Sequence, residues 1–257
     1  MRILLIRHGD PDYVNDTLTE KGKREAALLA KAAPGMNLGT CFVSPLGRAR
    51  DTAAYSLEKT GLTAKTLDWL EEFPARVDLN EHPEFSGAYQ NVRKKDGKYV
   101  PRVVWDMVPA YWTEHPEYFD RDEWRKSEAA LCSDMIQRYD TVIRSFDDFL
   151  ASRGYVRERD HYRVERASTD TVTFFCHFGI TCVLLSRLWN VSPFVLWHSL
   201  ALAPTSVTEV VTEERQQGIA YFRGLRLGDI SHLYAGGEPA SFAARFAEVY
   251  DDMEHRH

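Results

Sequence analysis

The sequence lacks the features that mark secreted and membrane proteins. Its 257 residues contain only four cysteines, which have neither CxxC spacing nor the density of a disulfide-stapled domain, so we expect them to be reduced. No apolar run is long enough to span a bilayer, and no charged leader with an apolar segment precedes the first predicted strand. These absences predict a cytoplasmic location without a membrane partner.

The sequence also lacks an excess of positive charge. The 32 Lys and Arg residues are outnumbered by 38 Asp and Glu residues, which gives a formal net charge of −6. This balance argues against general binding of nucleic acid or acidic membranes, and the basic cluster at 93–95 is typical of a solvated loop. Six histidines have no spacing typical of a metal site, so we expect neither a metal nor another cofactor: His82, His115, His161, His198, His255 and His257.

Strand and helix signals alternate over the first sixty residues. Ile3–Ile6 and Cys41–Val43 are continuous apolar runs, which favour strands buried on both faces. Apolar residues at helical spacing lie between them, and Ser44-Pro45 predicts the start of a helix that runs to about Lys59. The βαβα order predicts an α/β three-layer sandwich with a mostly parallel central sheet and helices on both faces.

A segment rich in prolines and aromatic residues interrupts this order from about Arg76 to Lys126. We expect it to be a cap inserted into a single domain that otherwise spans residues 1–257. Its aromatic side chains either fill a small core of their own or contact a substrate. The oligomeric state is not predicted.

Later segments predict further elements of the domain. A long amphipathic helix is predicted from about Ser127 to Ser152, and Val172–Cys176 is predicted to be another buried strand. Residues 206–212 and 219–227 are predicted to be strands forming a hairpin or an adjacent pair. Four apolar residues near the end of the chain predict a last helix: Phe242, Phe246, Val249 and Met253.

Polar residues follow three of the predicted strands. Arg7 and His8 end the first strand, Arg48 lies on the helix after the second, and His177 follows Cys176. Ligands of open parallel sheets bind beyond the carboxyl ends of the strands, so we expect these side chains to share one crevice. Arginine matches phosphate oxygens in a two-pronged contact, and imidazole is a nucleophile near neutral pH. The pattern indicates a metal-independent phosphoryl site.

Five blocks of sequence resemble the histidine phosphatase superfamily, also called the phosphoglycerate mutase-like family. The first is Arg7-His8-Gly9, and the second is residues 18–22, which resemble the helix start that follows it. Residues 44–53 resemble the block that carries the second arginine, here Arg48. Residues 176–179 resemble the second-histidine block, and residues 229–233 resemble the closing segment.

The resemblance implies a role for each matched residue. His8 is expected to form a phospho-histidine, and Arg7, Arg48 and His177 are expected to hold the phosphate oxygens. The family's general acid is a carboxylate in a loop after the second helix, where Glu72 fits best. Glu71 and a carboxylate of the insertion, such as Glu81 or Glu84, are alternatives.

Two further residues affect the expected site. Asn15 is a candidate phosphate ligand from the loop after His8, although a turn-forming role is as well supported. Phe178 stands where the family usually has glycine.

The expected activity is hydrolysis of a small phosphomonoester, with a small phosphorylated metabolite as the partner. The alternatives are a phosphoglycerate mutase-type phosphoryl transferase and a weakly catalytic module that binds a phosphorylated ligand. The mutase is less favoured because residues 10–13, Asp-Pro-Asp-Tyr, do not resemble the mutases' usual segment.

Overall fold

The computed structural model describes residues 1–90, 92–243 and 247–256. Its strands are β1 (Arg2–Arg7), β2 (Pro11–Asp12), β3 (Thr17–Leu18), β4 (Thr40–Val43), β5 (Ala64–Thr66), β6 (Arg76–Val77), β7 (Lys94–Lys95), β8 (Lys98–Tyr99), β9 (Arg102–Val103), β10 (Tyr155–Glu158), β11 (His161–Val164), β12 (Thr171–Cys176), β13 (Val207–Gln216), β14 (Ile219–Asp229), β15 (Ala247–Val249) and β16 (Asp252–Arg256). Its helices are α1 (Glu20–Met36), α2 (Gly47–Thr60), α3 (Pro109–Trp112), α4 (Glu128–Leu131), α5 (Met135–Ser152), α6 (Phe178–Trp189), α7 (Pro193–Ser199) and α8 (Ser231–Gly236). Short 3-10 helices span Asp68–Leu70, Pro83–Ala88, Pro116–Tyr118 and Glu123–Lys126.

The chain divides into two compact units. The first contains Met1–Glu72, Ala151–Thr181 and Ala201–His257, and the second contains Phe73–Leu150 and Cys182–Leu200. The predicted insertion at 76–126 lies wholly within the second unit, which also includes most of α5. That this segment acts as a cap stays a prediction.

The first unit is built on an eight-stranded sheet in the order β10-β11-β14-β13-β1-β12-β4-β5. Strands β1, β12, β4 and β5 are mutually parallel. The other four strands join through antiparallel pairs, beginning with β13 against β1. The predicted α/β class and its parallel core are confirmed. The sheet as a whole is mixed, because β13 and β14 form the predicted hairpin on the side of β1 opposite to β12.

Helices α1 and α2 cover one face of the parallel core. Leu4 and Ile6 of β1 pack there with Leu29 of α1 and Ala53 of α2, and all four side chains are buried. Ile3 and Leu5, which point to the other face of β1, are buried as well. Burial of both faces explains why the strand is a continuous apolar run.

The second unit has an aromatic core of its own. Tyr118 and Trp124 are fully buried, and their rings lie 4.5 and 6.2 Å from that of Phe194. Trp124 also contacts Tyr139 of α5 at a ring distance of 4.9 Å. For these residues of the insertion, filling a small core is the interpretation that the packing supports.

The predicted last helix is wrong in the described part of the chain. Residues 247–249 and 252–256 form the antiparallel pair β15 and β16, while Phe246 lies outside the described residues. The Asp252 carboxylate accepts a hydrogen bond from the Glu254 backbone N–H at 3.1 Å. Such a local bond competes with helical bonding, and four apolar positions do not outweigh it.

None of the helices in the described part of the chain combines the length and the apolar composition that crossing a bilayer requires. The four cysteines are all free.

Candidate active site

Arg7 and His8 lie at the carboxyl end of β1, in the middle of the sheet. The His8 N–H donates to the Cys176 carbonyl of β12 at 3.0 Å, and the Arg7 N–H donates to the Ser206 carbonyl at 3.1 Å. Both side chains are almost completely buried. Hydrogen bonds on both sides therefore fix the main chain that carries them.

The glycine of the Arg-His-Gly motif is required by a close backbone approach. A Cβ on Gly9 would lie 2.8 Å from the carbonyl oxygen of Gly22 in α1, closer than real Cβ contacts come. The Gly9 N–H donates to the Thr52 hydroxyl of α2 at 2.9 Å. Gly9 thus lets the end of β1 pack directly between α1 and α2.

The imidazole of His8 has a defined tautomer. Its Nδ1 lies 2.7 Å from the Gly9 carbonyl oxygen, which only accepts hydrogen bonds, so Nδ1 carries the proton and Nε2 the lone pair. Burial lowers the pKa of His8 well below its ordinary value, and the positive charge of Arg7 lowers it further. His8 is therefore a neutral imidazole, the form in which it is a nucleophile.

His177 follows β12 and lies beside His8, with 5.0 Å between the ring centroids. Its Nε2 shares a hydrogen bond with the Ser44 hydroxyl at 2.7 Å. Burial lowers the pKa of His177 well below its ordinary value, and the positive charges of Arg48 and Arg7 lower it further. The predicted juxtaposition of the two histidines is present in the structure.

Arg48 lies in the first turn of α2 and is held by Asp16 from the loop after β1. Arg48 Nη1 donates to Asp16 Oδ1 at 2.6 Å, and the Gly47 N–H donates to Asp16 Oδ2 at 2.6 Å. The helix begins at Gly47, three residues after Ser44, and its N-cap residue Leu46 has no capping side chain. Asp16 supplies the cap that we expected from Ser44.

Three buried nitrogen atoms of the site have no hydrogen-bond partner within the described chain: Arg7 Nε, Arg48 Nε and His177 Nδ1. The arginine atoms are always donors, and the imidazole nitrogen is a donor in one tautomer. A buried donor without a partner costs about 1–3 kcal/mol. These three nitrogen atoms belong to two guanidinium groups and one imidazole. An anion bound among them would accept their hydrogen bonds and so stabilise the site.

Glu72 lies at the edge of this group. Its Oε1 accepts a hydrogen bond from the Ile180 N–H in the first turn of α6 at 3.1 Å. Burial lowers the pKa of Arg7, and electrostatic interactions with Tyr13 and Glu72 oppose that shift, which places Glu72 within electrostatic reach of the site. Glu71 is exposed.

Comparison with known families identifies this arrangement. Residues 3–98 match the model of the histidine phosphatase superfamily, branch 1. The first part of the chain is thus similar to this superfamily. The matched range contains Arg7, His8, Arg48 and Glu72. No curated protein sequence matches the chain.

Solved structures share the fold of this chain at low sequence identity. A mutant phosphoserine phosphatase from Entamoeba histolytica, in complex with phosphoserine, is 15% identical with a TM-score of 0.56, and 90% of this chain and 98% of that chain are covered. A mycobacterial glucosyl-3-phosphoglycerate phosphatase is 18% identical with a TM-score of 0.52, covering 88% and 98%. A putative alpha-ribazole-5'-P phosphatase from Escherichia coli is 17% identical with a TM-score of 0.51, covering 90% and 98%.

Two sequence expectations for the site concern single residues. Asn15 is exposed, and its amide donates to Asp12 Oδ2 at 2.7 Å, so in this structure it serves the turn and does not join the buried group. Phe178 is the first residue of α6. A helical backbone suits any side chain, and the ring is buried.

One group of possible metal ligands lies in the second unit. His82, Glu84 and Cys132 each place a ligand atom within 4.8 Å of the others. Sequence spacing did not predict this group, because Cys132 is separated from the other two by a long stretch of chain.

Sequence reasoning missed Asp16 and Tyr13. Tyr13 is largely exposed, and the guanidinium carbon of Arg48 lies over its ring, 5.4 Å from the ring centroid. Both residues lie in an irregular loop, where no periodicity marks a side chain's direction. Their position within ten residues of the Arg-His-Gly motif is the signal that was available.

Proposed function

We propose that the protein is a phosphatase that hydrolyses a small phosphomonoester through a phospho-histidine on His8, without a metal ion. The observation that carries this proposal is a set of buried nitrogen atoms of Arg7, Arg48 and His177 that have no hydrogen-bond partner among the described residues and accompany the neutral imidazole of His8. Donors in a dry site stabilise the charge of a phosphoryl group in the transition state, which is the task that a metal ion performs elsewhere.

In the first step, His8 attacks phosphorus. The lone pair of Nε2 forms the N–P bond while the bond from phosphorus to the ester oxygen breaks. The Gly9 carbonyl holds the proton on Nδ1 and balances the positive charge that develops on the ring. Arg7 and Arg48 hold the phosphoryl oxygens, and we assign a proton to His177 Nδ1, where it donates to a third oxygen. Glu72 gives its proton to the leaving alkoxide.

In the second step, water replaces the histidine. Glu72, now a carboxylate, takes a proton from a water molecule, whose oxygen attacks phosphorus. The N–P bond breaks, its electron pair returns to Nε2, and inorganic phosphate leaves. Glu72 ends the cycle protonated, as it began.

The comparisons support a small substrate. Three proteins that share the fold are named as phosphatases of phosphoserine, glucosyl-3-phosphoglycerate and, as a putative assignment, alpha-ribazole phosphate. We propose a phosphorylated metabolite of that size class for this chain.

Turnover and phosphate binding, measured on the same samples, test the proposal. The purified protein is assayed on p-nitrophenyl phosphate and on a panel of phosphorylated metabolites, and phosphate binding is measured by calorimetry. We expect wild-type turnover and its loss in His8→Ala, with His161→Ala, at a half-buried histidine of β11, as the matched control.

Each other outcome has a definite meaning. Phosphate binding without turnover of any substrate would contradict the proposal and indicate a binding module. Transfer of the phosphoryl group to a second bound acid, with little release to water, would indicate a mutase.

A further inference from the structure

A short segment before β13 contacts both residues of the nucleophile dipeptide. The Leu202 carbonyl accepts a hydrogen bond from Arg7 Nη1 at 2.5 Å. The Ser206 carbonyl accepts from the Arg7 N–H, and the Thr205 N–H donates to the His8 carbonyl, each at 3.1 Å. Residues 202–206 therefore hold the arginine side chain and the main chain of both residues.

Thr205 holds its bond to His8 from an unfavourable backbone conformation. Its φ is +58°, in the left-handed region that a β-branched residue rarely adopts. Such a conformation costs on the order of 1–3 kcal/mol and persists only where the surroundings impose it. Thr205 is fully buried, so its neighbours are the cause.

The side chain of Thr205 is fixed by His232. The Thr205 hydroxyl donates to the Pro204 carbonyl at 2.7 Å and lies 3.0 Å from His232 Nε2. A hydroxyl has one proton, so His232 Nε2 is the donor in the second bond. His232 therefore bonds the side chain of Thr205, while the backbone N–H of Thr205 bonds the His8 carbonyl.

His232 is suited to act as a permanent donor. It lies on α8 and is buried, and burial lowers its pKa to about 4 while Asp229 opposes the shift. Its Nδ1 is buried and has no hydrogen-bond partner in the described chain. A neutral ring with the proton on Nε2 fits both observations, since a second proton on Nδ1 would be buried without an acceptor.

We propose that His232 and Thr205 are positioning residues that hold the His8 main chain so that Nε2 faces the phosphoryl group, an inference that rests on the proposed function. Thr205 touches neither the reacting atoms nor the substrate in this scheme. It acts through its backbone N–H, whose direction the His232 bond determines. The closing residues 229–233, which resemble the family's last motif, acquire a physical role in this way.

Paired variants test the proposal. Thr205→Val keeps the β-branch and removes the hydroxyl, and His232→Leu removes the donor. We expect each to slow phospho-enzyme formation about tenfold to a hundredfold, because small displacements of a nucleophile have effects of that size. Thr205→Ser and His232→Gln keep the hydroxyl and the donor, and we expect rates within about threefold of wild type.

Thr205→Gly distinguishes positioning from packing. Glycine adopts a φ of +58° without strain and keeps the N–H that bonds His8. We expect it to form the phospho-enzyme faster than Thr205→Val, although it removes more buried atoms. His198→Leu is the matched control, because His198 is also largely buried but contacts Phe194 and Met107 instead.

The readouts are the burst rate per folded molecule and the His8 tautomer from nitrogen NMR. The proposal is overturned if His232→Leu and Thr205→Val lower the melting temperature but leave both readouts as in wild type. It is also overturned if Thr205→Gly is slower than Thr205→Val. If His232→Leu and Thr205→Val fail to fold, the rates of Thr205→Gly and Thr205→Ser can still be compared, and Thr205→Ser should be the faster. Failure of wild-type protein to form a phospho-enzyme would refute the proposed function, while the NMR signal would still test the positioning.

Discussion

The two arginines of the site differ in how they are held. Arg7 is anchored by a carbonyl oxygen, and Arg48 is anchored by the Asp16 carboxylate. In both, the anchor binds Nη1, and the buried Nε has no hydrogen-bond partner among the described residues. The guanidinium plane is therefore fixed by one nitrogen and is available to a phosphate through others, a division of contacts that lysine does not offer.

Arg7→Lys and Arg48→Lys should fold but lose most activity, because one ammonium group replaces neither the anchor nor the two-pronged contact. We expect kcat/KM to fall by roughly 2–4 kcal/mol of transition-state stabilisation in each variant. Arg50→Lys is the control, since Arg50 is exposed on the same helix. Wild-type rates in either test variant would remove that arginine from the site.

Glu72→Gln should slow alkyl phosphates far more than p-nitrophenyl phosphate. The nitrophenolate leaves without a proton, whereas an alkoxide needs one from the general acid. Glu71→Gln, at the exposed neighbour, should slow neither substrate. The ratio of kcat values on the two substrates measures the effect, and an unchanged ratio in Glu72→Gln would assign the acid to another carboxylate.

Motif residues were predictable from the sequence, and their partners were not. Arg7, His8, Arg48 and His177 follow predicted strands or begin a predicted helix, so topology brings them together. Asp16, Thr205 and His232 act through contacts between segments distant in sequence. No spacing rule encodes such contacts, because they depend on how loops close over the sheet.

At the scale of elements, Glu25 links α1 to two other segments. This fully buried carboxylate on α1 accepts hydrogen bonds from the Asp10 N–H at 2.8 Å and the Ser241 N–H at 3.2 Å. Burial raises its pKa to about 7 from an ordinary value of 4.5, against the effect of these bonds and of Lys21. Glu25 therefore keeps a proton in the folded protein at pH values where the unfolded chain has lost it.

The sign of the resulting pH dependence is fixed. The contribution of Glu25 to the free energy of unfolding should be fully present below about pH 4.5. It should be lost as the pH rises through about 7, and the loss should be at most about 3 kcal/mol. Urea denaturation of wild type and Glu25→Gln at pH 5 and pH 8 measures it. The difference in stability between the two proteins should change with pH. Glu20→Gln, at an exposed position of α1, should keep the wild-type slope.

Helices α1 and α2 could be predicted from apolar residues at helical spacing, and strands β1, β4 and β12 from continuous apolar runs, whereas the short strand β5 was not predicted. Strands β10 and β11 were not predicted, because each spans only four residues and mixes apolar with charged or polar side chains. The first helical residue of α2 was predicted at Pro45, two residues before Gly47, since the cap comes from Asp16 in another segment. Local signals predict an element's existence more securely than its ends.

At the scale of the whole molecule, the account requires no metal ion for catalysis. EDTA should leave kcat unchanged, because the proposed site consists of guanidinium and imidazole groups with one carboxylate. Cys132→Ser is the matched control, since it removes one ligand from the group of His82, Glu84 and Cys132. A loss of turnover in EDTA that magnesium or manganese restores, in both proteins, would contradict the mechanism.

The chemical nature of the intermediate tests the central claim most directly. Wild-type protein is mixed with a phosphomonoester, quenched within milliseconds under alkaline conditions that preserve phospho-histidine, and digested for mass spectrometry. The account predicts a phosphoryl group on the peptide containing His8, at the ring nitrogen Nε2, and none in His8→Ala. Turnover by folded His8→Ala protein, or a phosphoryl group trapped on a different residue, would contradict it.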